Sequence, residues 1–308
     1  MANLLYQRTL AKKVEVTGIG LHTGRKVQLT LSPAGADFGI QFRRVDLHGP
    51  LMKASAELVG ATENNTSLGS GAGAIHTVEH LLAVLYGLGI NNVLVEVNGP
   101  EIPSMDGSGA SFLFLLKEAG VANLNASKKF MIILDTVSVD VNGSKATIEP
   151  CPRLTIDATI VFAHTLIKAQ HRIFEFSCEN FIRDIGRART FGMLRDVDML
   201  KRKGLIKGGS LNNAVVLDDF RVVNEEGLRF ADEFVRHKIL DTIGDISLLG
   251  HEVAGKITTF RSGHKVHNLL CRKLLQTPSA YKIVTASSLQ KETAQAFELP
   301  NSISLAFN

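Results

Sequence analysis

A chain of 308 residues, 45% hydrophobic and 21% charged, has the composition of a soluble globular protein with an ordinary core and length enough for two domains. Its net charge of +4 and pI near 8.9 fall well short of a nucleic-acid-binding arm, although the mild excess of Lys and Arg suits an anionic substrate. Three widely spaced cysteines, Cys151, Cys178 and Cys271, with no C-x-x-C, exclude a disulfide framework and a thiolate metal site.

The stretch MANLLYQRTLAKK carries charges where an export signal needs an apolar run. No segment approaches the ~18 apolar residues that span a bilayer. A cytoplasmic protein without stable membrane insertion is expected. Residues 12–33 predict a strand, a turn punctuated by Gly18, Gly20 and Gly24, and a second strand. The G-x-G here is no dinucleotide fingerprint, because a strand follows it where that fingerprint needs a helix.

Residues 76–88 predict a helix: Val78, Leu81, Leu82, Leu85 and Leu88 recur at spacings of three and four, and Gly87 and Gly89 end the run. NNVLVEV (91–97) predicts a buried strand. A turn and a helix follow at 103–120, with Asp106 or Ser108 as the cap. The small polar run VANLNASKK (121–129) is the best linker candidate.

The second half opens like the first, with strand, Asn142-Gly143 hairpin turn and strand over 130–150. A long helical pattern at 230–250 and a strand at 255–261 follow. Superposed on Gly89 and Gly250, the two long helices match His80 with Asp241 and His76 with His237. These features predict an α+β fold of two similar β/α domains from an internal duplication, residues 1–126 and 127–308. The charged stretch at about 193–217 has no counterpart in the first half and is an insertion in the second domain.

The chemistry concentrates on these two helices. HTVEH (76–80) has the H-x-x-E-H spacing of an inverted zinc-hydrolase motif. HKILD places His237 and Asp241 on one helix face, where a surface hydrogen bond is the plainer alternative. A catalytic zinc needs three protein ligands and an open position. His237, Asp241 and His80 would supply three, and Glu79, about 100° round the helix from His80, would stand beside the site as a base.

TVEHL, GLGINNVLVEVNGPEIPSMDGSGASF, GLHTG, RARTFG, GLIKGGS, NEEGLRFADEFVRHKILDTIGD and RSGH together resemble the UDP-3-O-acyl-N-acetylglucosamine deacetylases, zinc amidases of lipid A synthesis. The resemblance covers nearly the whole chain, in the family's order. It implies helices sandwiched between the two sheets, a nucleotide-sugar lipid precursor as substrate, and no nucleic-acid partner.

The same resemblance implies a site. His80, His237 and Asp241 would hold Zn2+, with Fe2+ suiting the same donors. Glu79 would be the general base, His264 the general acid oriented by Asp245, and Thr190 an oxyanion donor. Lys238 and Arg261 would meet the diphosphate; the family usually has lysine at the latter position. Phe162 would stack on uracil, with Lys145 as a further basic contact. Phe191, Leu21, His22, Ile206, Gly209 and Ser210 would touch the substrate, and Leu200 and Val216 would join Ile206 in an acyl-chain passage built by the insertion. The family often has serine at His76, which leaves that histidine outside the ligand set. Nothing in the chain demands more than a monomer. The alternative is a non-catalytic nucleotide-sugar-binding module with a closed structural zinc, but no fourth cysteine or histidine pairs with the set.

Overall fold

In a computed structural model, residues 5–288 of the chain are described. Strands and helices are mixed throughout, an α+β architecture. A five-stranded sheet in the first half runs in the order Val14–Ile19, Lys26–Pro33, Val93–Val97, Ile40–Arg44, Met52–Lys53. A second runs Val137–Val141, Ser144–Glu149, Lys256–Phe260, Thr155–Val161, Ala169–Glu175. Both have one plan. A hairpin leads into a central strand that is antiparallel to the hairpin and parallel to its other neighbour, and an antiparallel strand forms the far edge.

Alternation sets which face is buried. In Lys26–Pro33, Val27, Leu29 and Leu31 are buried while Lys26, Gln28 and Thr30 face outward. In each half the central strand is preceded by a long helix: α1 (Glu79–Gly87) in the first and, later in the chain, Glu233–Ile246 in the second. Among the described residues the other α-helices are α2 (Ala110–Ala119), the single turn α3 (Cys178–Asn180), α4 (Leu194–Arg202) and, after α5 (Glu233–Ile246), α6 (His264–Leu275).

Every residue of α1 is buried, as are twelve of the fourteen in α5. Leu81, Leu82, Val84 and Leu85 of α1 and Phe234, Val235, Ile239, Leu240 and Ile243 of α5 supply the apolar burial, while Glu79, His80, His237, Asp241 and Asp245 are polar groups buried with them. The two helices pack on each other, α5 also against Thr155–Val161 and α6. One continuous core joins both sheets through these helices. Gly244 permits the close crossing of α1 and α5, since a Cβ there would lie 2.1 Å from the backbone oxygen of Glu79.

The expected linker is structured. Val121–Ser127 is a strand paired with Tyr6–Leu10, and Lys129–Ile133 is the middle strand of a three-stranded sheet between Glu252–Ala254 and Tyr281–Thr285. Pairing with the remote Tyr6–Leu10 makes Val121–Ser127 a strand, although its run of small and polar side chains reads as a linker, while Lys129–Ile133 opens the strand expected from residue 130. Between them the buried Lys128 ion-pairs with Glu252 at 2.6 Å. Among the described residues, no helix is long and apolar enough to cross a membrane.

Candidate active site

The predicted helix at 76–88 begins late, at Glu79, for a physical reason. Glu101, fully buried, accepts hydrogen bonds from the backbone of His22 and Thr23 and from the Thr77 hydroxyl. His76 is tied extended beside Glu101, and Thr77 takes a left-handed backbone (φ 60°). The chain enters α1 only after this clamp, which sets Glu79 and His80 in the first turn. His76 turns away, its Nδ1 2.7 Å from the Ser67 hydroxyl.

Across the helix crossing, α5 presents His237 and Asp241 one turn apart. Asp241 Oδ1 lies 3.5 Å from His80 Nε2 and 3.3 Å from His237 Nε2. One ligand atom from each of His80, His237 and Asp241 lies within 4.8 Å of the others. All three side chains are buried, and Asp241 Oδ1 has no hydrogen-bond partner. His237 Nδ1 donates to the Ala188 carbonyl at 3.0 Å, which fixes the tautomer and leaves Nε2 a bare acceptor. Burial pushes His237 down to about 3, so the ring is neutral at physiological pH. The bare Nε2 of His237, the Nε2 of His80 and the orphaned Oδ1 of Asp241 are a donor set that fits a divalent transition metal.

Beside this set, Thr66 links two carboxylates. Its backbone N–H donates to Glu79 Oε2 at 2.9 Å and its hydroxyl to Asp245 Oδ1 at 2.5 Å. Burial pushes the Glu79 carboxyl above its ordinary value, with His264 and His80 pulling the other way. His264 stands at the first position of α6, its Nδ1 2.8 Å from Asp245 Oδ2. Burial works against the imidazolium, but the charge and hydrogen bond of Asp245 outweigh it and carry His264 up to about 9.

A cavity of about 880 Å³ reaches this cluster at His264 and at Lys238, the partner of Asp241. Thr190, Phe191, Lys238 and His264 line it, with Leu21 and His22 from the first glycine turn. The 193–217 segment adds Leu194, Val197 and Leu200 of α4 and Ile206, Gly209, Ser210 and Val216 to the wall, and Val141, Asn142, Ser144 and residues 263–266 of the second half line it as well. No residue of α4 is buried, so its apolar stripe faces the cavity without being covered. Gly209 and Ser210 also make a tight turn, with Gly209 N donating to Ile206 O and Ser210 N to Asn213 Oδ1. Lys238 Nζ donates to Asp241 Oδ2 at 2.8 Å and lies 5.7 Å from the centre of the Phe191 ring.

Three expected contacts lie off this lining. Phe162 packs edge-on against Phe191 with ring centres 5.4 Å apart. Lys145 is exposed on its strand and pairs with Asp140. Arg261 is exposed with a left-handed backbone (φ 50°). Conversely, Thr66 and His267 belong to the cluster although no sequence signal singled them out. Thr66 sits in a polar loop, and His267 reads as one more polar position on a helix.

The family profile described as UDP-3-O-acyl N-acetylglycosamine deacetylase matches residues 7–276. A protein of Sodalis glossinidius (strain morsitans) named UDP-3-O-acyl-N-acetylglucosamine deacetylase is 46% identical over 302 residues, 97% of this chain and 99% of the relative. A Thioalkalivibrio sulfidiphilus (strain HL-EbGR7) protein of the same name is 46% identical over 285 residues, 92% of this chain and 94% of its own length. The chain therefore belongs to the UDP-3-O-acyl N-acetylglycosamine deacetylase family.

Proposed function

We propose that this protein hydrolyses the acetamide of a UDP-3-O-acyl-N-acetylglucosamine, giving the free amine and acetate, in the lipid A pathway and in the cytoplasm. The observation that carries the reading is the juxtaposition of the His80, His237 and Asp241 donor set with Glu79 on one side and the Asp245–His264 pair on the other. The names of the two relatives support the substrate class.

Zn2+ is the proposed metal, with Fe2+ an acceptable substitute, held by His80, His237 and Asp241. When bound, the metal supplies Lewis acidity, lowering the pKa of water and polarising the amide carbonyl. Glu79 takes the proton of the attacking water as its oxygen bonds to the carbonyl carbon. Burial raises the basicity of Glu79 above that of a free carboxylate, which suits this work. The Thr190 hydroxyl donates to the oxygen as it becomes negative. His264, charged beside Asp245, gives its proton to nitrogen as the carbon–nitrogen bond breaks.

Lys238 and Arg261 meet the diphosphate, and Phe162 and Lys145 reach the nucleoside end. Leu21, His22, Phe191, Ile206, Gly209 and Ser210 line the sugar and acyl subsites. The apolar stripe of α4 gives the acyl chain a passage, lined also by Leu200 and Val216. Residues 1–126 and 127–308 act as two domains that meet at the site, and one copy of the chain suffices. Acetate release from the acylated substrate by the zinc-loaded protein tests the reading. Equal turnover of a substrate without the acyl chain would overturn the substrate assignment.

A further inference from the structure

The Asp245 carboxylate serves two imidazoles through one oxygen. His264 Nδ1 lies 2.8 Å and His267 Nδ1 2.7 Å from Oδ2, and the two rings stand edge-on with centres 6.5 Å apart. His267 lies one turn along α6 from His264 and is 1% exposed. Its Nε2 is 2.8 Å from the Ser262 hydroxyl and 3.4 Å from that of Thr242. Thr242 Oγ1 already donates to the Lys238 carbonyl, so Ser262 is the hydroxyl free to donate to Nε2. A carboxylate oxygen only accepts, so both Nδ1 atoms facing it carry protons. A ring with its proton on Nδ1 and Ser262 donating to Nε2 is satisfied at both ends.

We propose that His267 is a positioning residue that tempers the general acid: by donating to the same Oδ2 it takes a share of the negative charge that holds the proton on His264. The inference rests on the reading of His264 as the acid. Its logic is that of matched acidity. An acid held too tightly by its carboxylate transfers its proton slowly, and the most effective catalytic acid has a pKa near the working pH. A second donor on the carboxylate weakens its pull on the first, whether that donor is neutral or charged. Thr66 on Oδ1 acts in the same direction.

The other groups facing this cluster are fixed in place and common to any variant at 267. They are Asp241 and Lys238 on α5, Glu79 on α1, His22 from the first turn and Cys271 on α6.

The test compares two nearly isosteric variants. In His267→Asn the amide nitrogen stands where Nδ1 stood and still donates. In His267→Leu a methyl takes that position and cannot. The readout is the titration of the His264 ring by NMR on histidine labelled at Cε1, assigned with His264→Gln, together with the alkaline limb of kcat against pH.

Loss of the donor in His267→Leu is expected to move the His264 titration upward by about half a unit to one unit, three- to tenfold in the acid constant, and His267→Asn to stay near the parent. An unmoved or lowered titration in His267→Leu would overturn the proposal. The unmodified protein gives a second reading should the leucine variant fail to fold: nitrogen shifts must place the His267 proton on Nδ1, and a proton found only on Nε2 would also overturn it. An NMR shift in a protein with no deacetylase activity would instead retire the functional reading and leave the coupling of His267 to His264 standing.

Discussion

Gly244 on α5 lies directly against Glu79 on α1, and a Cβ at Gly244 would stand 2.1 Å from the Glu79 carbonyl oxygen and 3.0 Å from its Cα. The contact is backbone, which cannot swing aside as a long side chain can. The distance between the two helices, and so between His80 and the His237–Asp241 pair, is set by the absence of a side chain at this position. Gly244→Ala is therefore expected to push the first turn of α1 away from α5. Overpacking of this kind costs about 1–3 kcal/mol, and the melting temperature should fall. The stoichiometry of bound zinc should fall with it, because the proposed ligands are divided between the helices, His80 on α1 and His237 with Asp241 on α5. Thermal melts and metal analysis on the same preparation check both parts.

Glu79→Gln keeps an acceptor for the Thr66 N–H while removing the proposed base. It should lower kcat by about 10²- to 10⁴-fold, with KM and zinc content close to those of the parent. Steady-state kinetics and metal analysis separate this from a folding defect. A variant that kept most of its kcat would remove Glu79 from the chemistry.

If His264 is the general acid, as proposed, the alkaline limb of activity should follow its titration. Its folded value, about 9, lies above the ordinary 6.5, so the charged ring is favoured in the folded protein. The sign follows. Stability from this ring is full below pH 6.5 and is lost as pH rises through about 9. Asp245→Asn removes the charge that raises it, so the limb should move towards lower pH and kcat at pH 8 should fall. The pH dependence of kcat in the two proteins checks the direction.

His76→Ala should keep the metal and most of the activity. Its lost hydrogen bond with Ser67 is worth about 1 kcal/mol. His237→Ala, in contrast, should abolish tight zinc binding, since it removes one of three donors. Zinc retained after dialysis against a weak chelator distinguishes the two.

Much of this site was legible in the sequence because its chemistry is written in helical spacing. His237 and Asp241 fall on one face at i and i+4, and Glu79 and His80 open an apolar helix whose glycines mark its end. The repeated strand–turn–strand opening of each half likewise corresponds to two sheets with the same strand order.

What stayed hidden depends on tertiary pairing. Val121–Ser127 is a strand only because Tyr6–Leu10 lies beside it. Thr66 reaches Glu79 from a loop 13 residues earlier and Asp245 from a separation of 179 residues. His267 gains its partner only when α6 packs on α5. No local pattern encodes such meetings.

The most direct test of the account is anomalous scattering at the zinc edge from crystals of the zinc-loaded protein. The account predicts a strong peak bonded to His80 Nε2, His237 Nε2 and Asp241 Oδ1 at about 2.0–2.2 Å, with the remaining position open towards the cavity and Glu79 beside it. A metal held by His76 together with His80, with Asp241 remote, or one closed by a fourth protein ligand, would contradict it.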